Sequence, residues 1–77
     1  MNLLLSIIVS ILTFGAVADG STNNAGAINR AISECHKRGG GTVVVPAGTF
    51  ASGSIFLQSH VTLRLEKGAT LKGIEDL

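Results

Sequence analysis

Few side chains in this sequence can carry chemistry, and they do not form a catalytic set. The 77 residues include eight groups suited to acid–base, nucleophilic or metal chemistry: Asp19, Glu34, Glu66, Glu75, Asp76, His36, His60 and Cys35. General acid–base catalysis needs paired groups whose surroundings push their pKa values apart. The acids here are spread over a turn, a helix face, a strand corner and the end of the sequence. We therefore assign no catalytic residue.

The cysteine and the two histidines do not match a metal site. A structural zinc site needs about four ligands of the Cys and His type, and these three residues are too few and wrongly spaced. We interpret His36 and His60 as solvated side chains. Cys35 falls on the apolar stripe of a predicted helix, which favours a buried thiol, and a disulfide to a cysteine outside this sequence is the alternative. The sequence predicts no metal and no cofactor.

Composition narrows the class of protein and of partner. Hydrophobic residues make up 45% of the chain and charged residues 14%, which is typical of a folded chain rather than a disordered one. The net charge is +1 and the six basic residues are scattered, so we predict no nucleic-acid partner. We also predict no membrane partner.

The stretch MNLLLSIIVSIL at the start has two interpretations. An apolar run over Leu3–Leu12 is too short to span a membrane and resembles the core of a secretion signal, although no basic residue precedes it. The β-branched residues over Ser6–Phe14 instead suggest a first strand. The two interpretations combine in a signal core over Leu3–Ile8 that continues into a strand over Val9–Phe14. We predict a signal core or disordered N-terminus over residues 1–8 and one incomplete domain over residues 9–77.

The middle of the chain predicts one short helix from Asn24 to Arg38. Its apolar residues recur at helical spacing and form one stripe, which comprises Ile28, Ala31, Ile32 and Cys35. Asn23 or Thr22 could cap its first turn through a side-chain oxygen. Gly39 could end the helix with a positive φ angle. The polar residues Asn29, Arg30, Ser33, Glu34 and Lys37 are expected on the solvated side.

After the helix the apolar pattern changes to the period of two that is typical of strands. Four groups of apolar residues at alternate positions are each expected to share one strand face. They are Val43 with Val45, Ile55 with Leu57, Val61 with Leu63 and Leu65, and Ala69 with Leu71. Glycine or serine stands at each break. We predict short strands of three to five residues, tight turns and no further helix.

Two of these segments, which begin twenty residues apart, have similar sequences. TVVVPAG at residues 42–48 aligns with TLRLEKG at residues 62–68, with apolar residues kept at the inward positions while Val44 is replaced by Arg64. Such a period predicts a solenoid, in which each coil packs on the next. A β-sandwich or a hairpin protein is the alternative, but no Asn-Gly or Asp-Gly turn joins two strands.

The solenoid interpretation also predicts that the sequence is a fragment. The helix would plug one end of the stack, since terminal coils need a cap. The other end has no such plug in the sequence. The fold expected is all-β, with an N-terminal cap helix and the first coils of a right-handed parallel β-helix, which the remaining coils of the same chain would continue.

The segments FGAVADGSTNNAGAINRAISEC and GGGTVVVPAGTFASGSIFLQSHVTLRLEKGATLKG resemble the N-terminal part of glycoside hydrolase family 28, within the pectin-lyase-like β-helices. The likeness covers residues 9–73. It departs from the family's turn at Asn23, where Asp is usual, and at Ala25, where Thr is common. In the family the stretch like Phe14-Gly15-Ala16 leads from the first strand, so we do not interpret Ala16-Val17-Ala18 as a cleavage site.

The resemblance implies a polygalacturonase-like enzyme that hydrolyses pectin by inversion, with a polysaccharide substrate and a secreted or periplasmic location. The family's N-T-D element, D-D pair, G-H-G histidine and R-I-K motif are all missing from this segment, which would be inactive alone. The alternatives are the β-helix start of a tailspike-like or epimerase-like module without hydrolase activity, and a free-standing small secreted protein.

Overall fold

The computed structural model describes residues 7–74, and in this range the chain forms two parallel sheets with one α-helix packed over the end of the stack. The elements, in order, are β1 (Ile7–Ser10), a 3₁₀ helix (Ile11–Phe14), α1 (Ala25–Lys37), β2 (Gly41–Val45), β3 (Gly48–Ser52), β4 (Val61–Leu65) and β5 (Ala69–Gly73). One sheet has the order β1-β2-β4 and the other pairs β3 with β5, and every pairing is parallel. Successive coils therefore stack strand on strand, as the sequence predicts for a parallel β-helix.

The register between the two coils confirms the echo seen in the sequence. Thr42 pairs with Thr62, and the inward residues Val43 and Val45 pair with leucines. The register then shifts, because Gly48 pairs with Ala69 and not with Gly68. The second turn is one residue longer than the first, and the two glycines keep positive φ angles of 132° and 86°.

The first strand lies earlier than the sequence predicts. We expected it over Val9–Phe14, but β1 ends at Ser10, whose Oγ accepts a hydrogen bond from the amide of Leu12 and starts the 3₁₀ helix. Gly15, with a φ of 92°, ends that helix. Ile7 and Ile8 belong to β1, and the rest of the predicted signal core lies outside the described residues.

The helix prediction is confirmed, since α1 covers Ala25–Lys37 with Asn24 and Arg38 as its caps. Gly39 has the predicted positive φ, and the amides of Gly39 and Gly40 donate to the carbonyls of His36 and Cys35. This pattern is a Schellman motif, which satisfies two of the carbonyls left open at a helix end.

The core lies between α1 and the inner faces of the strands. Its fully buried side chains are Ile11, Ile28, Ala31, Ile32, Cys35, Val43, Val45 and Phe50. The amphipathic stripe of α1 thus covers the end of the stack, as a solenoid requires. We expected Val44 to face outward, yet it is 7% exposed. It lies on the central strand of a parallel sheet, where apolar residues on both faces are usual.

The predicted strand at Ile55 and Leu57 is not formed within residues 7–74. Both residues lie in an irregular stretch without strand pairing. They do not share an environment, because Ile55 is half-buried against the core whereas Leu57 is 62% exposed.

The close approach at Gly41 predicts that its replacement is destabilising. A Cβ atom there would lie 2.5 Å from the carbonyl oxygen of Ile7 and 3.3 Å from the Sγ of Cys35. Forced overpacking of this kind costs about 1–3 kcal/mol. We expect Gly41→Ala to lower the free energy of unfolding, measured by urea denaturation of the chain.

Gly73→Ala is the matched control, because a Cβ atom at Gly73 meets nothing within 4 Å. Equal unfolding midpoints for the two variants would contradict the packing described at β2.

Candidate functional site

Asp19 is held as an ionised turn carboxylate. Its Oδ1 accepts hydrogen bonds from the amides of Ser21 and Thr22, at 2.9 and 2.7 Å, and its Oδ2 accepts from the Thr22 hydroxyl. The Thr22 side chain and these amides lower the pKa of Asp19 to about 2. A general acid needs the opposite shift, a raised pKa, so Asp19 stabilises the turn and does not supply a proton.

The other described acids are engaged with basic side chains. Glu34 receives a hydrogen bond of 2.7 Å from the Nε of Arg38, which together with Lys37 lowers its pKa. Glu66 lies 3.7 Å from the guanidinium of Arg64. Glu75 and Asp76, the acidic pair at the end of the sequence, lie outside the described residues.

The histidines and the cysteine have structural contacts. His36 is exposed on α1, as predicted, and its Nδ1 lies 3.1 Å from the carbonyl of Ser59. His60 is also exposed, with a φ of 66°, and its carbonyl accepts from the amide of Gly41. Cys35 is free and fully buried, as its position on the helix stripe predicts, and burial raises the pKa of its thiol. A buried thiol with a raised pKa is a poor nucleophile.

The structure reveals a polar junction that sequence reasoning missed. Asn24 is 3% exposed, and its Oδ1 accepts from the amide of Val17 at 2.9 Å. Its Nδ2 donates to the carbonyls of Val17, Thr22 and Ala51, at distances of 3.0–3.2 Å. One carboxamide therefore joins the loop before α1 to strand β3.

Asn23, which we predicted as a cap, has a double role. Its Oδ1 accepts from the amide of Ala25, in the first turn of α1, and from the amide of Gly53 after β3. Thr22 does not cap the helix, because its hydroxyl is used by Asp19. No local sequence signal separates Asn23 from Asn24, since the two adjacent asparagines differ only in which partners the fold brings to them.

Two shallow surface depressions lie beside α1, and neither can perform acid–base chemistry. One is lined by neutral residues, Ser21, Asn23, Ala25, Gly53, Ser54 and Ile74. The other, lined by Phe14, Asn29, Arg30, Ser33, Glu34 and Lys37, has a single acid that is already paired with Arg38. Hydrolysis by inversion needs two carboxyl groups about 6.5–9.5 Å apart.

Residues 7–74 contain neither a cluster of metal ligands nor a membrane-spanning helix. Across residues 7–74 no three side chains of the His, Cys, Asp or Glu type come together as ligands. None of the helices described there is long and apolar enough to cross a bilayer. The described part of the chain thus consists of a cap and two coils with no assembled catalytic centre.

The sequence of this chain is similar to a known protein family and to characterised relatives. Residues 8–73 match the family described as rhamnogalacturonase A/epimerase, pectate lyase-like. The chain is 42% identical over 69 residues to an exo-poly-α-D-galacturonosidase of Dickeya chrysanthemi, covering 90% of this chain and 11% of that protein.

Solved structures of two enzymes are also similar to this chain. The family 28 exopolygalacturonase of Yersinia enterocolitica superimposes with a TM-score of 0.84 at 44% identity, over 91% of this chain and 12% of that one. The A-module of the mannuronan C-5 epimerase AlgE4 of Azotobacter vinelandii superimposes with a TM-score of 0.80 at 28% identity, over 86% of this chain and 20% of that one. The chain thus spans only a small part of each of these relatives.

The hydrogen bonds of Asp19 predict a pH-dependent stability. Because its folded pKa is depressed, its contribution is present above the unfolded value of 3.8 and is lost as the pH falls through about 2. Asp19→Asn removes the charge and keeps the size of the side chain. We expect the variant to be less stable than the parent at pH 7 and the gap to close by pH 2, measured by thermal unfolding. A gap that stays constant over this range would contradict the assignment.

Proposed function

Because the chain belongs to the rhamnogalacturonase A/epimerase, pectate lyase-like family, we propose that it forms the N-terminal cap and first coils of a polygalacturonase-like glycoside hydrolase that acts on pectin. The resemblance to glycoside hydrolase family 28 is confirmed by the match to the exopolygalacturonase of that family. The substrate proposed is the galacturonan of pectin, and the reaction is inverting hydrolysis.

The observation that carries this proposal is the difference between the two structural matches. The cap and coils agree with the exopolygalacturonase at 44% identity and with the epimerase module at 28%, although the backbones fit almost equally well. Backbone likeness alone indicates a fold that several functions share. The higher identity to the hydrolase therefore supports the hydrolase over the epimerase.

The described residues support a structural role for this segment. Asp19 and Glu34 both have lowered pKa values, and their hydrogen bonds are satisfied within the cap and the helix. An inverting enzyme needs one carboxyl group of raised pKa to protonate the leaving oxygen. In our proposal the acid, the base and the groups that bind the uronate come from coils beyond this segment.

The second candidate is an epimerase-like module, which the match to AlgE4 supports. Such a protein would carry the same cap and coils and would not hydrolyse its polysaccharide. For either function we propose a location outside the cytoplasm, because the polysaccharide substrates proposed for both are found there.

An exchange of segments tests the proposal. Residues 8–73 of this chain would replace the matching segment of the Yersinia enterocolitica exopolygalacturonase and, separately, that of the AlgE4 A-module. We expect the hydrolase graft to keep galacturonan hydrolysis within about tenfold of its parent, which corresponds to a rise of about 1.4 kcal/mol or less in the activation free energy. We expect a larger loss of activity in the epimerase graft.

The opposite ranking, or equal loss in two folded grafts, would contradict the hydrolase assignment. Folding of each graft is checked by its thermal unfolding midpoint before activity is compared. The 77-residue chain alone serves as the control for background activity and is expected to hydrolyse no galacturonan.

A further inference from the structure

An open groove of about 350 Å³ lies between the end of the 3₁₀ helix and the outer face of α1. This volume falls in the range of about 300–1,000 Å³ that is typical of small-ligand sites. We call it the helix groove, and its lining residues are Phe14, Asn29, Arg30, Ser33, Glu34 and Lys37. Because the groove is open to solvent, it suits one unit of a longer polymer better than an enclosed small molecule.

The uncharged polar residues of the helix groove are held by the stretch that follows β3. The Oδ1 of Asn29 accepts from the amide of Phe56 at 2.8 Å, and its Nδ2 donates to the carbonyl of Ser54 at 3.1 Å. We had placed Asn29 on the solvated side of the helix, but it is half-buried by these contacts. The Oγ of Ser33 accepts from the Nε2 of Gln58 at 3.0 Å, which leaves its own proton as a donor for a ligand.

The guanidinium of Arg30 is oriented before any ligand arrives. Its Nη2 donates to the carbonyl of Phe14 at 2.9 Å. Among residues 7–74 this is its one hydrogen bond, and no acid there is paired with it. A guanidinium has five N–H donors in a planar fork, so several remain for a carboxylate. A fork that is already oriented loses little freedom on binding.

The fold gathers positive charge around the helix groove. Lys37 lies seven residues after Arg30 on the same side of α1, about 10 Å along the helix axis. Its side chain is 74% exposed, and its Nζ is 4.0 Å from Glu34, whose other oxygen accepts from Arg38 at 2.7 Å. Three basic residues thus surround one acid. They are half of the six basic residues that we took as scattered in the sequence.

Phe14 supplies an apolar wall next to these cations. Its ring is half-buried against the core, and the rest of it lines the helix groove. Ligand sites commonly combine an aromatic surface with a few polar groups that fix orientation. An acidic sugar matches both features, since it has an apolar ring face and a carboxylate. An isolated phosphate group has no apolar face to place on Phe14.

We propose that the helix groove binds an acidic sugar, a uronate unit of a polysaccharide, with its carboxylate on Arg30 and its apolar face on Phe14. Arg30 and Lys37 lie further apart than the width of one sugar ring, so a neighbouring unit brings a second carboxylate to Lys37. The groove binds and catalyses no reaction. The choice of galacturonate as the uronate rests on the proposed function.

Titration of the 77-residue chain with trigalacturonate, followed by NMR, tests this site. We expect the amide signals of Arg30, Ser33 and Lys37 to shift, with a Kd on the order of 1 mM. The fully methyl-esterified trimer has the same rings without charge and should bind at least about tenfold more weakly, because charge-assisted hydrogen bonds are lost. Equal binding of the ester, or shifts only outside the helix groove, would overturn the proposal.

Two lysine variants separate a site from general attraction to a basic protein. Lys37→Ala should weaken trigalacturonate binding by about two- to fivefold, the usual range for an exposed ion pair. Lys67→Ala is the matched control, because it removes the same charge from an exposed turn that does not line the helix groove. Equal weakening by the two variants would contradict the proposal.

Arg30→Lys tests the fork, because it keeps the charge and loses the planar donors. We expect binding to fall by about fivefold or more, with the thermal unfolding midpoint as the check on folding. Unchanged binding in the folded variant would contradict the role of Arg30. If the variant does not fold, the comparison of Lys37→Ala with Lys67→Ala still decides.

Trimannuronate separates this inference from the proposed function. Binding of both trimers at the helix groove would support a site that recognises uronates in general. Binding of trimannuronate alone would support the uronate site and contradict galacturonan as the substrate. Binding of neither trimer would overturn the helix groove as a site, whereas the proposed function would still be decided by the exchange of segments.

Discussion

The carboxamide of Asn24 ties the cap to the first coil, and the arrangement of both depends on it. This one side chain bonds to Val17 and Thr22 in the loop before α1 and to Ala51 in β3. Its main-chain amide also donates to Ala51, and its carbonyl accepts the amide of Ile28 in α1. Because the group is buried, each partner left unpaired would cost about 1–3 kcal/mol.

The wider constraint is that β3, unlike β2, has no strand on its outer edge among the described residues. The cap satisfies this edge with loop amides and with asparagine side chains. The amide of Gly20 donates to the carbonyl of Thr49, and Asn24 donates to the carbonyl of Ala51. The side chain of Asn23 accepts from the amide of Gly53. The side chain of Asn29 bonds to the residues on either side of Ile55. The apolar stripe of α1 meanwhile covers the interior. The polar edge and the apolar interior of the first coil are thus covered by two sides of one short cap.

Much of this fold follows from local patterns in the sequence, and the rest follows from contacts between distant residues. The helix, its glycine end and the register of Thr42–Val45 on Thr62–Leu65 were predicted, because periodicity and turn chemistry act over a few residues. The roles of Asn24 and Asn29 were not predicted. Their partners lie up to 27 residues away, and a buried asparagine looks the same as an exposed one in a sequence. The prediction of a strand at Ile55 and Leu57 was wrong because an alternating pattern does not by itself supply a pairing strand, and none of the strands described in residues 7–74 pairs with this stretch.

The most direct test of the account is the unfolding free energy of Asn24→Ala compared with that of Asn23→Ala, its exposed neighbour with two hydrogen bonds. Urea denaturation of both variants and of the parent chain would be followed by circular dichroism. The account predicts a loss of about 3 kcal/mol or more for Asn24→Ala, because several buried groups lose their partners, and about 1 kcal/mol for Asn23→Ala. Equal losses, or an Asn24→Ala variant within about 0.5 kcal/mol of the parent, would contradict the claim that this buried carboxamide holds the cap on the coil.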